Sequence, residues 1–318
     1  MKFFFVISLV LTSIILHAQD YHFSQYNESS LSFNPALIGD QENKYKFSFQ
    51  RRSQWESVSI PFTTTAIGFE TKKAIYKQSL GIQFINDIAG DSKLSTTGIA
   101  LGTSRALSIT EKSNLKLGLE LAVYQKKLEL SSLVFPQPNT APPAIQNKVS
   151  PFFDISLGYQ LRFKINNENT LKIGNSLFHI NQPNQSYTNS PDKLLIKINS
   201  YIHTTHKINK KTIISPKIFH SIQGKSYENI FGSDIDYIFK KSKNNLLILK
   251  TGIYNRWKDA IICKVGVKRN GLQAFFSYDI NISSLVVASN YQGAGEICLI
   301  YEWGQNKPKS NKTCPKYL

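Results

Sequence analysis

The sequence predicts an all-β fold, a transmembrane antiparallel β-barrel of about 14 strands with short periplasmic turns and longer extracellular loops. Three observations carry that prediction. An export signal opens the chain, apolar residues then alternate with polar or small ones at a period of two, and the alternating segments are long and joined by connections that are tight at every second position. Composition agrees, because 318 residues with 41% hydrophobic and 12% aromatic side chains can bury far more apolar surface than a disordered chain does.

Met1-Lys2 is a short positive start, and Phe3 to Leu16 is an apolar run of roughly 14 residues, the length of a signal core and too short for a spanning helix. Residues 1–18 therefore read as a cleaved signal peptide, with Ala18 before the cut and Gln19 as the mature start. Gln19 is not a cysteine, which argues against a lipoprotein anchor. Residues 19–43 follow as a periplasmic N-terminal segment, in which Asn34-Pro35 and Gly39 mark a turn and form a candidate contact surface.

Strand-like segments then fall near 44–52, 62–71, 78–87, 95–107, 114–125, 151–163, 170–180, 194–206, 212–223, 228–240, 245–255, 260–269, 271–280 and 295–304. The first sets Tyr45, Phe47 and Phe49 against Lys46, Ser48 and Gln50; the fifth places Leu115, Leu117, Leu119, Leu121 and Val123 on one face. The sixth puts Asp154, Gln160 and Arg162 together on the second face. A helix would scatter those charges around its circumference. Most segments run about 9 to 13 residues, close to what a tilted membrane-crossing strand needs. Connections after the even-numbered segments are tight, including Asn270-Gly271, the preferred pair for a primed hairpin turn, whereas 126–150, 181–193 and 281–294 are longer. Strands can cross hydrocarbon only if the sheet closes and leaves no unpaired edge. An even strand number returns the barrel domain, 44–304, to the side on which it began, so the tail 305–318 is expected in the periplasm with segment 19–43. A soluble exported sandwich, the competing architecture, leaves the long strands with a polar second face unexplained.

The chain carries 38 Lys+Arg against 21 Asp+Glu, a formal charge of +17. The charge is spread through strands, turns and tail, and export argues against a nucleic-acid partner. Lys240, Lys241, Lys243, Lys307 and Lys309 fall at the inferred periplasmic rim, with Lys207, Lys210 and Lys211 beside them. They read as solvated rim residues or, more sharply, as a docking surface for an acidic component. Arg52, Gln54, Trp55 and Pro61 lie where the first two strands reach the outer rim, as interfacial groups or partner contacts, and Trp257 and Trp303 read as girdle residues. No nucleophile elbow, zinc-protease helix or phosphate loop is present, so no catalytic residue, cofactor or metal is expected. His203 and His206 sit three apart on a strand and so point to opposite faces, and Cys263, Cys298 and Cys314 have no fixed spacing.

Several motifs carry a family resemblance. The opening Gln19-Asp20-Tyr21-His22-Phe23-Ser24-Gln25-Tyr26, then Asn34-Pro35-Ala36-Leu37-Ile38-Gly39, Arg51-Arg52-Ser53-Gln54-Trp55 and Pro61-Phe62-Thr63-Thr64 resemble the start of the PorP/SprF family. Gly174-Asn175-Ser176-Leu177-Phe178-His179-Ile180-Asn181-Gln182-Pro183-Asn184, Tyr278-Asp279, Glu296-Ile297-Cys298-Leu299-Ile300-Tyr301 and Cys314-Pro315 are similar to its later landmarks, in order. The tail departs from the pattern in being lysine-rich and ending Tyr317-Leu318. The resemblance implies an outer-membrane barrel accessory to type IX secretion, working with components of that system in the export or surface attachment of large cell-surface proteins such as adhesins, and associated with gliding motility. It brings no catalytic residues. A porin-like channel with a basic lumen is the alternative that the residues leave open.

Overall fold

The computed structural model describes residues 20–56, 60–90, 93–129, 148–242, 245–284 and 286–304. Signal residues 1–18, tail 305–318, Lys243 and most of connection 126–150 lie outside them. Fourteen strands follow one another: β1 (Tyr45–Gln54), β2 (Phe62–Ile75), β3 (Gln78–Ala89), β4 (Leu94–Ser108), β5 (Ser113–Lys127), β6 (Phe152–Lys164), β7 (Asn169–Phe178), β8 (Lys197–Lys207), β9 (Thr212–Gln223), β10 (Ser226–Ser242), β11 (Asn245–Arg256), β12 (Ala260–Arg269), β13 (Leu272–Asn281) and β14 (Gln292–Trp303). Each pairs antiparallel with its sequence neighbours, and β1 pairs with β14 from Tyr45↔Trp303 to Gln54↔Ala294, which closes the barrel. Closure leaves no edge to satisfy in lipid.

The two-residue period decides which side chains meet which solvent. Phe47, Leu119, Leu121, Leu157, Ile218 and Ile297 stand exposed on the outer face, whereas Lys46, Gln50, Glu120, Asp154 and Glu296 point inward and are buried. Outward aromatics gather towards the ends of the wall. Trp303 stacks near Tyr45, Phe69 and Tyr301 at one rim, and Trp257 lies 6.1 Å from Phe231 at the other.

The rim that carries Trp303, called the near rim below, is built of the tight turns. Asn166 Oδ1 accepts from the Glu168 and Asn169 amides, both at 2.8 Å, and Asn209 Oδ1 does the same for Lys211 and Thr212. These side-chain-to-backbone bonds fix the hairpin tips. The opposite, far rim carries the long connections between β5 and β6, between β7 and β8 and between β13 and β14. Strand ends differ from expectation by a few residues where local irregularity intervenes. β2 runs on to Ile75 through a register shift after Thr71, and β8 begins only at Lys197 because Leu194 turns into the interior.

Candidate functional site: a lumen closed by the N-terminal segment

Residues 20–44 occupy the barrel interior. Asp20 lies beside Gln223, His179 and Lys197 at the far ends of β9, β7 and β8, and the chain descends through the lumen to Lys44, whose amide bonds Gly304 at the near rim. The expectation of a segment 19–43 standing in the periplasm is therefore corrected for residues 20–43. Their apolar side chains need a core, and the wall supplies one: Phe23, Leu31 and Ile38 pack with Ala66, Ile85, Ala100 and Ala122. On the other side Tyr26 stacks on Phe219 at 4.6 Å and Phe33 lies 4.9 Å from Tyr201.

The turn at Asn34–Gly39 shows how the segment is seated. A single helical turn, α1 (Ser30–Phe33), ends at extended Asn34, and Pro35 opens a 3-10 turn through Leu37. Asn34 is fully buried; its Oδ1 accepts from the Ala36 amide at 2.8 Å, and its Nδ2 donates to the Tyr159 and Asn175 carbonyls at 3.1 and 3.2 Å. The wall opposite is glycine. A Cβ on Gly118 would stand 2.2 Å from the Ala36 nitrogen, and one on Gly158 2.0 Å from Asn34 Oδ1. Gly39 closes the turn at φ +74°, a conformation costly for other residues, and its amide donates to Glu70 at 2.9 Å. The carbonyls of Phe33 and Ile38 accept from Ser176, Asn199 and Lys116.

Charge follows the same logic, since a buried ion needs a partner. Asp279 accepts from Ser24 Oγ at 2.7 Å and lies 2.9 Å from Arg52 and 2.8 Å from Arg256. Glu296 accepts the Ser24 and Gln25 amides at 2.7 and 3.0 Å. Lys264 meets Glu28 at 2.6 Å, Lys46 meets Glu70 at 3.0 Å, and Lys172 meets Asp40 at 2.7 Å. At the far end His179 bridges Asp20 (2.6 Å) and Asp154 (3.0 Å). Burial opposes charge on both His179 and Asp20, yet their mutual attraction prevails. The imidazole is pushed up to about 9 and the Asp20 carboxyl held well below the usual carboxylate range. Burial, with Arg256 and Arg52 beside it, keeps His22 neutral well below the ordinary imidazole value. Above the segment a polar basin of about 350 Å³ opens at the far rim, walled by Gln54, Trp55, Glu228 and Asp259 and floored by Arg52, Arg256 and Asp279.

Residues 15–301 match the family of type IX secretion system membrane proteins PorP/SprF. The chain belongs to the PorP/SprF family. No curated protein matches it. Among solved structures, this PorP/SprF chain is similar to the Ralstonia pickettii toluene transporter TbuX (TM-score 0.53, 10% identity, 90% of this chain and 96% of that one). It is also similar to the monoaromatic hydrocarbon channel CymD (0.51, 9%, 88% and 94%) and to the Pseudomonas putida toluene transporter TodX (0.50, 9%, 88% and 93%). At these identities the likeness is one of fold: a closed antiparallel β-barrel.

Within this PorP/SprF barrel the residues singled out in the sequence part company. Asn34, Pro35 and Gly39 are buried in the lumen, so none forms an exposed contact surface. Arg52, read as a rim residue, is 3% exposed and paired inside, because its position in β1 has the lumenal parity of Lys46 and Gln50. Gln54 and Trp55 do reach the far rim, as basin wall, and Pro61 precedes β2 there. Lys240 and Lys241 are exposed at the near rim; Lys243, Lys307 and Lys309 lie outside the described residues. His203 faces the lumen against the Tyr26 hydroxyl at 3.2 Å, while His220 bonds Asn229 elsewhere. The sequence reading missed Glu28, Lys264, Asp279 and Glu296 as lumenal anchors. Their signal was the presence of both charge signs, with glycine and alanine, on the inward parity of the strands, a surface that fits protein better than water.

Proposed function

We propose that this protein is a non-enzymatic accessory of type IX secretion that supports the export or surface attachment of a large cell-surface protein such as an adhesin, and that it reaches the outer membrane after cleavage of signal residues 1–18. The observation that carries the reading is the filled lumen. Residues 20–43 are hydrogen-bonded to strands on all sides, from β1 and β14 round to β7 and β8. A barrel sealed in this way works through its surfaces, by holding its two rims in fixed relation for other proteins to use. The porin-like alternative needs a continuous basic passage. Against it stand the pairing of Lys46, Lys116, Lys172, Lys217 and Lys264 with carboxylates and the segment that lies across the passage.

Comparing the surface proteome of a clean deletion strain with its parent tests the proposal. Loss of one or a few large surface proteins, restored by the intact gene, is expected; an unchanged surface overturns the reading. Purified protein in planar bilayers is expected to conduct little, and steady anion-selective current would favour the porin.

A further inference from the structure

At the near rim an apolar row and a ring of basic side chains lie on opposite parities of the hairpins. Ile75, Ile109, Ile165, Ile208 and Phe239 continue the lipid-facing rows of their strands and are between 54% and 60% exposed. They mark the level of the lipid edge. On the lumenal parity of the same hairpins stand Lys112, Arg162, Lys164, Lys207, Lys211 and Lys241, and all but half-buried Lys207 are exposed. The acidic neighbours at this level give little compensation: Lys207 shares Glu168 at 3.3 Å, Glu111 stands exposed beside Lys112, and Glu42 is taken by Lys268 at 2.9 Å. The lumen behind the ring is filled, so the ring does not line an entrance. The β6–β7 and β8–β9 turns beside Lys164 and Lys211 are held by Asn166 and Asn209, which fixes the backbone positions from which these lysines project.

We infer that the near mouth is a docking surface for a water-soluble acidic protein domain, seated over the point where the lumenal segment leaves the barrel. Phospholipid headgroups are the other anions within reach of a rim. Arg105, Lys240 and Arg269 stand exposed on the lipid-side parity of this rim, where headgroups lie, whereas the six side chains of the ring stand on the mouth side, turned away from the headgroups. Matching opposite potentials raises encounter rates and fixes orientation, with a strength that falls as salt screens it. The inference stands whether or not the export reading does.

The full-length barrel in phosphatidylcholine nanodiscs, with poly-L-glutamate as the acidic probe, tests it. The triple variant K112E/K164E/K211E is expected to weaken binding by about tenfold or more at low salt. A far-rim triple variant with the same charge change, K93E/K193E/K225E, is expected to leave it nearly unchanged. Equal loss in both variants means a response to net charge alone and overturns the assignment. So does a near-rim variant that keeps poly-L-glutamate affinity but loses binding to phosphatidylglycerol vesicles, which would give the ring to lipid. Heat-modifiable migration on gels confirms that each variant remains a folded barrel.

Discussion

Asn34 is a residue whose chemistry admits no substitute. Its amide nitrogen faces two carbonyl oxygens and its amide oxygen faces a backbone N–H, so the side chain must both donate and accept. Asn34→Ala should cost about 1 to 3 kcal/mol, the range for leaving a buried polar group unpaired. Asn34→Asp should cost more despite being smaller in volume change, because it puts a second oxygen against the Tyr159 and Asn175 carbonyls. Thermal unfolding in detergent would rank the two, and the reverse order would refute this account. Asp279 offers a parallel case: Asp279→Ala removes a carboxylate that Arg52 and Arg256 share, and because Glu296 at 3.6 Å and Glu228 at 2.8 Å still face them, the loss should be about 1 to 3 kcal/mol. Neither role was visible in the sequence. Asn34-Pro35 announces a turn wherever it sits, and Asp279 carries the parity of a water-facing residue until something is known to fill the lumen.

At the scale of elements, the strands were legible and the lumenal segment was not. A strand with one face in lipid imprints a strict alternation, which is why β5 and β6 could be placed to within two residues. A segment enclosed on every side has no solvent face, hence no period, and residues 20–44 look like irregular linker. The seating of that segment on glycine makes a prediction. Gly118→Val should displace Pro35 and Ala36, at about 1 to 3 kcal/mol for an overpacked contact, while β5 keeps its ladder. Faster protease cleavage within residues 20–40 of a still heat-modifiable barrel is the expected sign. The tie between Asp20 and His179 should also respond to pH. His179 is raised in the folded state, so its contribution is complete below its unfolded value near 6.5 and disappears as pH rises through about 9. Asp20, held low, contributes above its unfolded value and loses that contribution only in strong acid. The protection of amides 20–26, measured relative to the intrinsic exchange rate at each pH, should therefore fall between pH 8 and 10, and in the His179→Gln variant it should be low at pH 8 already.

For the whole molecule, the antiparallel closed wall and its asymmetric rims followed from pattern and length, and family membership from ordered motifs; the contents of the barrel did not follow from either. The even number of strands places Tyr45 and Trp303 together, as expected, yet the chain ahead of Tyr45 doubles back through the middle. That path has a practical outcome for anyone handling the protein. A small label attached at Asp20 should be reachable by membrane-impermeant reagents from the opposite side to one attached at Gly304, although both adjoin the same seam in sequence order. A fusion partner of any size ahead of Asp20 would have to be accommodated at the far rim, whereas one behind Gly304 would emerge at the near rim. Two tagged strains, stained intact and after permeabilisation, would show that asymmetry directly.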